Sequence, residues 1–327
     1  MNKILQSSKT VLIATLLLSV SAFSFGQDAE LQLIHVQGNV YMLSGAAVNV
    51  TVQIGDEGLV FVDSPNEDTI PAMISLIQEH TNLPVLYVIN THLDEEHISG
   101  NATLSRMGNR LNANITSFGP PGGAQSTAIA GATGGVTLLA HENVLNRFYL
   151  TDHNIERLDL TSTYFMPTKD FYQNGEGIVV YHMPNAHTDG DSIVYFRRSD
   201  VISTGDIFTP GRYPEIDLAR GGSVQGLVEA LNFLIELIVP GPMAEAGTYV
   251  VPGHGRIGDE IDVVEYRNMV YIVMQRIEAL IDDGMSLRQI ISSRPTLDYD
   301  TEYGGSRGGP TAEEFITAIY NSLTTEM

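Results

Sequence analysis

Four apolar runs in this chain each stop at a histidine or a carboxylate. "VLYVIN" runs into "THLDEEH", "GIVVYHMPN" into "AHTDGD", "VISTG" into Asp206, and "TYVVPG" into His254. Short apolar runs with β-branched members, bounded by turn residues, read as buried strands. In layered α/β proteins, sites gather beyond the carboxyl ends of strands. If the four endings converge, they bring together His92, Asp94, Glu96, His97, His187, Asp206 and His254. Four of these sit with Glu95 in one six-residue stretch, a cluster that repels itself unless something positive lies within it.

The remaining elements fit around those strands. Residues 31–65 read as short strands broken at Gly38, Gly45 and Gly55–Gly58, and residues 67–80 as a helix with acids early and apolar residues at helical spacing. A strand at 85–90 follows, and a helix can begin within Ile98–Met107. Residues 108–135 are small and Gly-rich and suggest a long loop or lid; with no Gly-Lys-Ser/Thr ending, they are not a phosphate loop. "VTLLAHENVLNRF" reads as a strand turning into a helix, and "GIVVYHMPNAHTDGDSIVYF" as strand, loop, strand. "SVQGLVEALNFLIELIV" is an amphipathic helix, and the chain ends in further helices. Strands, a mixed αβ section, more strands and then helices point to a two-sheet α/β sandwich rather than a doubly wound sheet. No linker divides residues 27–327, which read as one domain.

The absence of cysteine removes thiolate ligands, thiol nucleophiles and disulfides, so any site is built from nitrogen and oxygen. Residues two apart in extended chain face the same side, so His92 and Asp94 can hold one metal while Glu96 and His97, a turn further on, face a second. The seven residues make two sets of three ligands with one carboxylate to bridge. Nitrogen-plus-oxygen donors suit zinc foremost, with manganese or iron as alternatives. A solvated acidic turn would explain "HLDEEH" alone, and an Asx-type turn "HTDGD" alone. The ordered set after four strands favours a metal site. His35, His80, His141, His153 and His182 lack such company and read as structural.

With those motifs in hand, the chain resembles the metallo-β-lactamase-fold hydrolases. "NTHLDEEHISGN" is similar to their "THxHxDHxxGN" signature, and "AHTDGDSIVYF", "STGDIF" and "VPGHG" to their later histidine and aspartate motifs. "GDIFTPGRYPEID" and the helical tail are similar to an exported subgroup. The resemblance runs from about residue 31 to about residue 256. It implies a four-layer αββα sandwich of two mixed β-sheets with a two-metal site between them. It also implies hydrolysis of an ester, lactone, amide, thioester or β-lactam in a small-molecule substrate by a metal-bridging hydroxide. His92, Asp94 and His187 would hold the first metal and Glu96, His97 and His254 the second, with Asp206 bridging. Glu96 and Asp206 would be the catalytic carboxylates, Glu96 orienting water or passing a proton. Two positions depart from the pattern: Asp94 stands where the family has a histidine, and Glu96 where it has an aspartate. Three carboxylates then surround the metal pair and weaken it as a Lewis acid. The outcome is either a site tuned to another metal or a higher pH, or a module that binds without turnover.

The chain begins with a feature of a different kind. Residues 1–26 carry Lys3 and Lys9, an apolar run Val11–Val20 and small residues toward Gly26, the pattern of a secretory signal peptide. The apolar run is too short to span a bilayer, which takes roughly 20 residues. Periplasmic or secreted localisation follows as the expectation, with no membrane attachment after cleavage. Without the two leader lysines, 15 basic residues face 39 acidic ones, a formal charge of −24. Such a field opposes nucleic acid. The apolar C-terminal helices leave a homodimer possible. The loops at 108–135 and 209–222 follow the first ligand cluster and Asp206, and should border the pocket. Within the second, Arg212 and Tyr213 either contact substrate or only pin the loop.

Overall fold

The computed structural model describes residues 30–107, 135–150, 160–241, 247–304 and 308–325. Strands β1 (Gln32–Gln37), β2 (Val40–Ser44), β3 (Val50–Gly55) and β4 (Gly58–Val62) form an antiparallel meander. Helix α1 (Ile70–Gln78) then crosses to β5 (Val85–Ile89), which pairs parallel with β4. Beyond β5 come the four-residue α2 (Glu95–Ile98) and α3, the helical residues 101–107. Strands β6 (Thr137–His141) and β7 (Ser162–Tyr164) extend the sheet in parallel, giving seven strands in chain order, with α4 (Glu142–Leu150) after β6.

The second sheet has five strands in the order β12-β11-β10-β9-β8. It comprises β8 (Thr168–Gln173), β9 (Glu176–Met183), β10 (Asp191–Phe196), β11 (Val201–Ser203) and β12 (Tyr249–Val251). The β8–β9 hairpin turns on Asn174 and Gly175, whose φ values of 52° and 79° are those a two-residue hairpin turn of this hand requires. Strands β8, β9, β10 and β11 alternate in direction while β11 and β12 run parallel, so β9, β11 and β12 all end on the same side.

Side-chain alternation assigns the layers. On β4, Val60 and Val62 face the second sheet and meet Ile178, Val180, Val194 and Phe196, while Leu59 and Phe61 face Ile70, Met73 and Ile77 of α1. The far side of the second sheet, through Ile193, Ile202 and Val250, is covered by α5 (Val224–Leu237), α6 (Glu260–Asp282) and α9 (Ala312–Thr325). Between them lie α7 (Leu287–Ser293) and α8 (Asp300–Tyr303). The order helix, sheet, sheet, helix is the expected αββα sandwich. Both faces of β4 are buried, and burying each large aliphatic side chain contributes about 1.5–3 kcal/mol. Ser223 caps α5 by accepting from the Gly226 N–H, and Asp259 with Asp262 forms a capping box on α6.

The differences from the sequence reading are local. The helix expected over 67–80 begins as a 3₁₀ turn, Glu67–Thr69, and becomes α-helical near Pro71, whose missing N–H suits the first turn. Strands β7 and β8 carry no sequence signal: β8 is an edge strand whose "TKDFYQ" is mostly exposed, so no apolar alternation marks it. Tyr213 is fully buried, stacked on Phe315 at 4.7 Å, with its hydroxyl donating to Asp300 Oδ1. It pins the loop to the C-terminal helices, and the substrate contact expected for it is closed off by that burial. The leader, His153 and nearly all of the segment 108–135 lie outside the described residues. Among the described residues, no helix is long and apolar enough to cross a membrane.

Candidate metal centre

The site starts one residue beyond β4. Asp63 follows Val62 with φ 67° and is buried. Its carboxylate accepts from the Thr91 backbone N–H at 2.7 Å, from the Thr91 hydroxyl at 2.9 Å and from His97 Nδ1 at 2.9 Å. Since the Thr91 proton is given to Asp63, the 2.8 Å contact between Thr91 Oγ1 and His92 Nδ1 requires the imidazole to donate. His187 Nδ1 donates to the Glu215 backbone carbonyl at 3.1 Å. In all three histidines the outer nitrogen is committed to an acceptor, which orients the ring and leaves Nε2 facing inward.

Five strand ends converge here. His92 and Asp94 follow β5, and Asp94 occupies the N-cap position of α2 in extended conformation. Glu96 and His97 lie on α2 itself. A paired-amide contact between Asn90 and Asn101, with Asn90 also donating to the His97 carbonyl at 3.2 Å, holds α2 against the end of β5. His187 follows β9 in a loop fixed by Asp191, which accepts from the Thr188 N–H and hydroxyl at 2.8 and 2.7 Å. The Asx-type turn weighed for "HTDGD" is not what forms: Asp191 reaches back to Thr188, whose hydroxyl accepts from the Gly190 N–H at 3.1 Å, and this loop presents His187. Asp206 follows β11 through Gly205, which has φ 52°. A Cβ on Gly205 would stand 2.5 Å from Thr91 Oγ1, and one on Gly253 would stand 2.4 Å from Asp206 Oδ1. His254 follows β12 directly after Gly253.

The seven residues expected at the site are brought together in two sets. His92, Asp94, His187 and Asp206 form one; Glu96, His97, Asp206 and His254 form the other; within each, the candidate ligand atoms lie within 4.8 Å of one another. Asp206 belongs to both, with Oδ1 3.5 Å from His97 Nε2 and Oδ2 3.9 and 3.5 Å from His92 and His254 Nε2. His187 Nε2 lies 3.1 Å from Asp94 Oδ2, and His254 Nε2 2.8 Å from Glu96 Oε1. Glu96, one methylene longer than the motif's aspartate, folds back onto His254 and is the most exposed of the seven at 42%.

His92 Nε2, His97 Nε2 and Asp206 Oδ1 are buried without a hydrogen-bond partner. Three such inward-facing donors would be costly in a finished polar network, and they fit a divalent cation. Burial works against charge on His187, but Asp94, Asp191 and Asp206 push it up to about 10. Burial likewise opposes His254, which Asp206 and Glu96 push up to about 9. Asp206, despite its burial, is held well below the usual carboxylate range by His97 and His254. Protonated, these imidazoles would balance the carboxylates at the same atoms a cation would contact.

Several contributors escape the motif pattern. Asp63 ends a fifth apolar strand, "GLVFVD", so the rule that singled out the other four would have found it. Arg220, in the loop that drew attention to Arg212 and Tyr213, is the arginine that reaches the centre, pairing its guanidinium with Asp94 Oδ1. Arg212 lines a cleft of about 410 Å³ with Asn49, Gly253 and His254. His141 and His182 belong to neither set; they stack at 3.5 Å, and burial together with His182 lowers His141 to about 4.

No protein-family model matches the chain, and no curated protein sequence matches it. Solved structures do match, and they define the class: the chain has the metallo-β-lactamase fold. A double mutant of the sec-alkyl sulfatase PisA1 superposes with TM-score 0.66 at 14% identity over 90% of this chain and 50% of that one. The stereoselective inverting sec-alkylsulfatase Pisa1 from Pseudomonas sp. superposes with TM-score 0.62 at 14% identity over the same shares. This chain thus spans about half the length of those sulfatases. A metallo-β-lactamase from Pontibacter korlensis gives TM-score 0.53 at 14% identity, covering 74% of this chain and 99% of that one.

Proposed function

We propose that the protein is an exported hydrolase that depends on two divalent metal ions, zinc foremost, and acts on an ester-type bond of a small substrate. The observation that carries this reading is the inward orientation of His92, His97 and His187, each with Nδ1 committed to an acceptor, around the shared carboxylate of Asp206. His92, Asp94 and His187 would hold one ion and Glu96, His97 and His254 the other, with Asp206 between them. When bound, such a pair supplies the Lewis acidity that ionises water near neutral pH and takes up charge on the substrate oxygen.

The chain's own residues do the rest. Glu96 is accessible and can take a proton from the attacking water and pass it to the leaving group. Arg212 stands at the cleft beside His254, where it can bind an acidic part of the substrate. The substrate bond is a carboxylic ester, lactone, amide or β-lactam, or a sulfate ester as in the alkylsulfatases, which match more of this chain than the β-lactamases do. A non-catalytic binding module is the competing reading, motivated by the departures at Asp94 and Glu96.

Metal analysis of the purified protein, followed by assays of a carboxylic ester, a lactone, a β-lactam and a secondary alkyl sulfate with and without chelator, separates these. Bound metal with chelator-sensitive turnover supports the hydrolase. Bound metal with no turnover across the panel leaves the binding module, and activity that survives complete metal removal overturns both.

A further inference from the structure

Asp94 adds a negative charge at a position where the histidine motif places a neutral ring. The structure surrounds that substitution in a specific way. The two oxygens of Asp94 are divided: Oδ2 faces His187 Nε2 at 3.1 Å and His92 Nε2 at 3.3 Å, while Oδ1 is taken by the guanidinium of Arg220. Arg220 is itself fixed by Asp217, which accepts from its Nε at 2.6 Å and from its backbone N–H at 2.9 Å. The loop bearing both is built onto the His187 segment. The Asp217 N–H donates to the His187 carbonyl at 2.9 Å, the Asp189 N–H donates to the Arg220 carbonyl at 3.0 Å, and Glu215 supplies the acceptor for His187 Nδ1.

We propose that Arg220 is a positioning residue that makes Asp94 a stand-in for the missing imidazole: it offsets part of the added charge, its guanidinium being shared with Asp217, and restricts the carboxylate to one inward oxygen. This rests on the metal-centre reading. A free carboxylate can bind a cation through both oxygens; one whose second oxygen is held by a guanidinium offers a single point of attachment, as an imidazole does. Arginine suits this task because its planar fork can hold Asp94 and Asp217 together, which a lysine ammonium does less rigidly. One loop, residues 215–222, then sets the orientation of two neighbouring ligands, His187 and Asp94.

The consequence is metal preference. Imidazole-like, one-point donors favour zinc, whereas oxygen-rich, two-point carboxylate sites move toward manganese. The test compares Zn²⁺ and Mn²⁺ affinities, by competition with a chromophoric chelator, in the wild type, Arg220→Gln, Asp94→His and the double variant. The ratio of the two affinities is the readout, because a general loss of charge or of structure alters both metals alike. Arg220→Gln is expected to shift the ratio at least tenfold toward Mn²⁺, Arg220→Lys to shift it by an intermediate amount, and Arg220→Gln in the Asp94→His background to change it less than threefold. If Arg220→Gln does not fold, Arg220→Lys carries the same comparison in both backgrounds. A ratio that does not move, or moves equally in both backgrounds, overturns the inference while the metal centre stands. A wild type that takes up neither metal overturns the metal-centre reading and this inference with it.

Discussion

His97 Nδ1 lies 2.9 Å from Asp63 Oδ2, with both side chains out of contact with solvent. Asp63 also holds the Thr91 hydroxyl that in turn receives His92 Nδ1, so one carboxylate orients two histidines. Asp63→Asn should keep the backbone, since asparagine tolerates the left-handed conformation found here. It should weaken metal binding about 10–100-fold, the usual cost of removing a partner that orients a ligand. Metal titration checks this, with unchanged affinity as the outcome that dismisses the role.

Asp206 is shared by both ligand sets, whereas His187 belongs to one. Asp206→Ala should therefore abolish binding of both ions, and His187→Ala should reduce the content by one equivalent. Elemental analysis of the two purified variants decides it. Equal metal content in both would mean that Asp206 does not bridge.

Gly205 and Gly253 leave no room for a Cβ, and Gly205 also has positive φ. Gly205→Ala should cost about 1–2 kcal/mol for the left-handed backbone and a further 1–3 kcal/mol, roughly, for overpacking against Thr91. Thermal unfolding of the metal-free protein measures the loss directly. A variant as stable as wild type would show that the Thr91–Gly205 approach is looser than described.

In the metal-free protein His187 and His254 are raised, to about 10 and about 9, by the carboxylates beside them. Because the folded value exceeds the unfolded one of roughly 6.5, their contribution to stability is fully present below that pH. It is lost as pH rises through 9 and then 10. Metal binding near pH 7 should accordingly release protons. Calorimetry in buffers of different ionisation enthalpy will show a net release of at least about one proton per protein if these imidazoles are charged beforehand. Binding enthalpies independent of the buffer would contradict it.

Much of this was legible before any coordinates. The sandwich followed from the order of elements, and the seven donors followed from strand endings, because a buried strand that stops at a histidine or carboxylate announces an unusual environment. Asp63 obeys the same rule, ending "GLVFV" as Asp206 ends "VISTG", but it stands outside the histidine and aspartate motifs that mark the other endings. Arg220 could not be read at all: its pairing with Asp94 joins positions 126 apart in the chain, and nothing local distinguishes it from Arg212. β8 was hidden for the opposite reason, since an exposed edge strand has no apolar face to display.

Each donor set is split evenly between the two sheets: two members come from the β5–α2 segment and two from the loops after β9, β11 and β12. A cation held there would rivet the N-terminal half of the chain to the C-terminal half at one edge of the sandwich. Neither half supplies more than two members of either set, so a truncated chain would not reproduce either donor set.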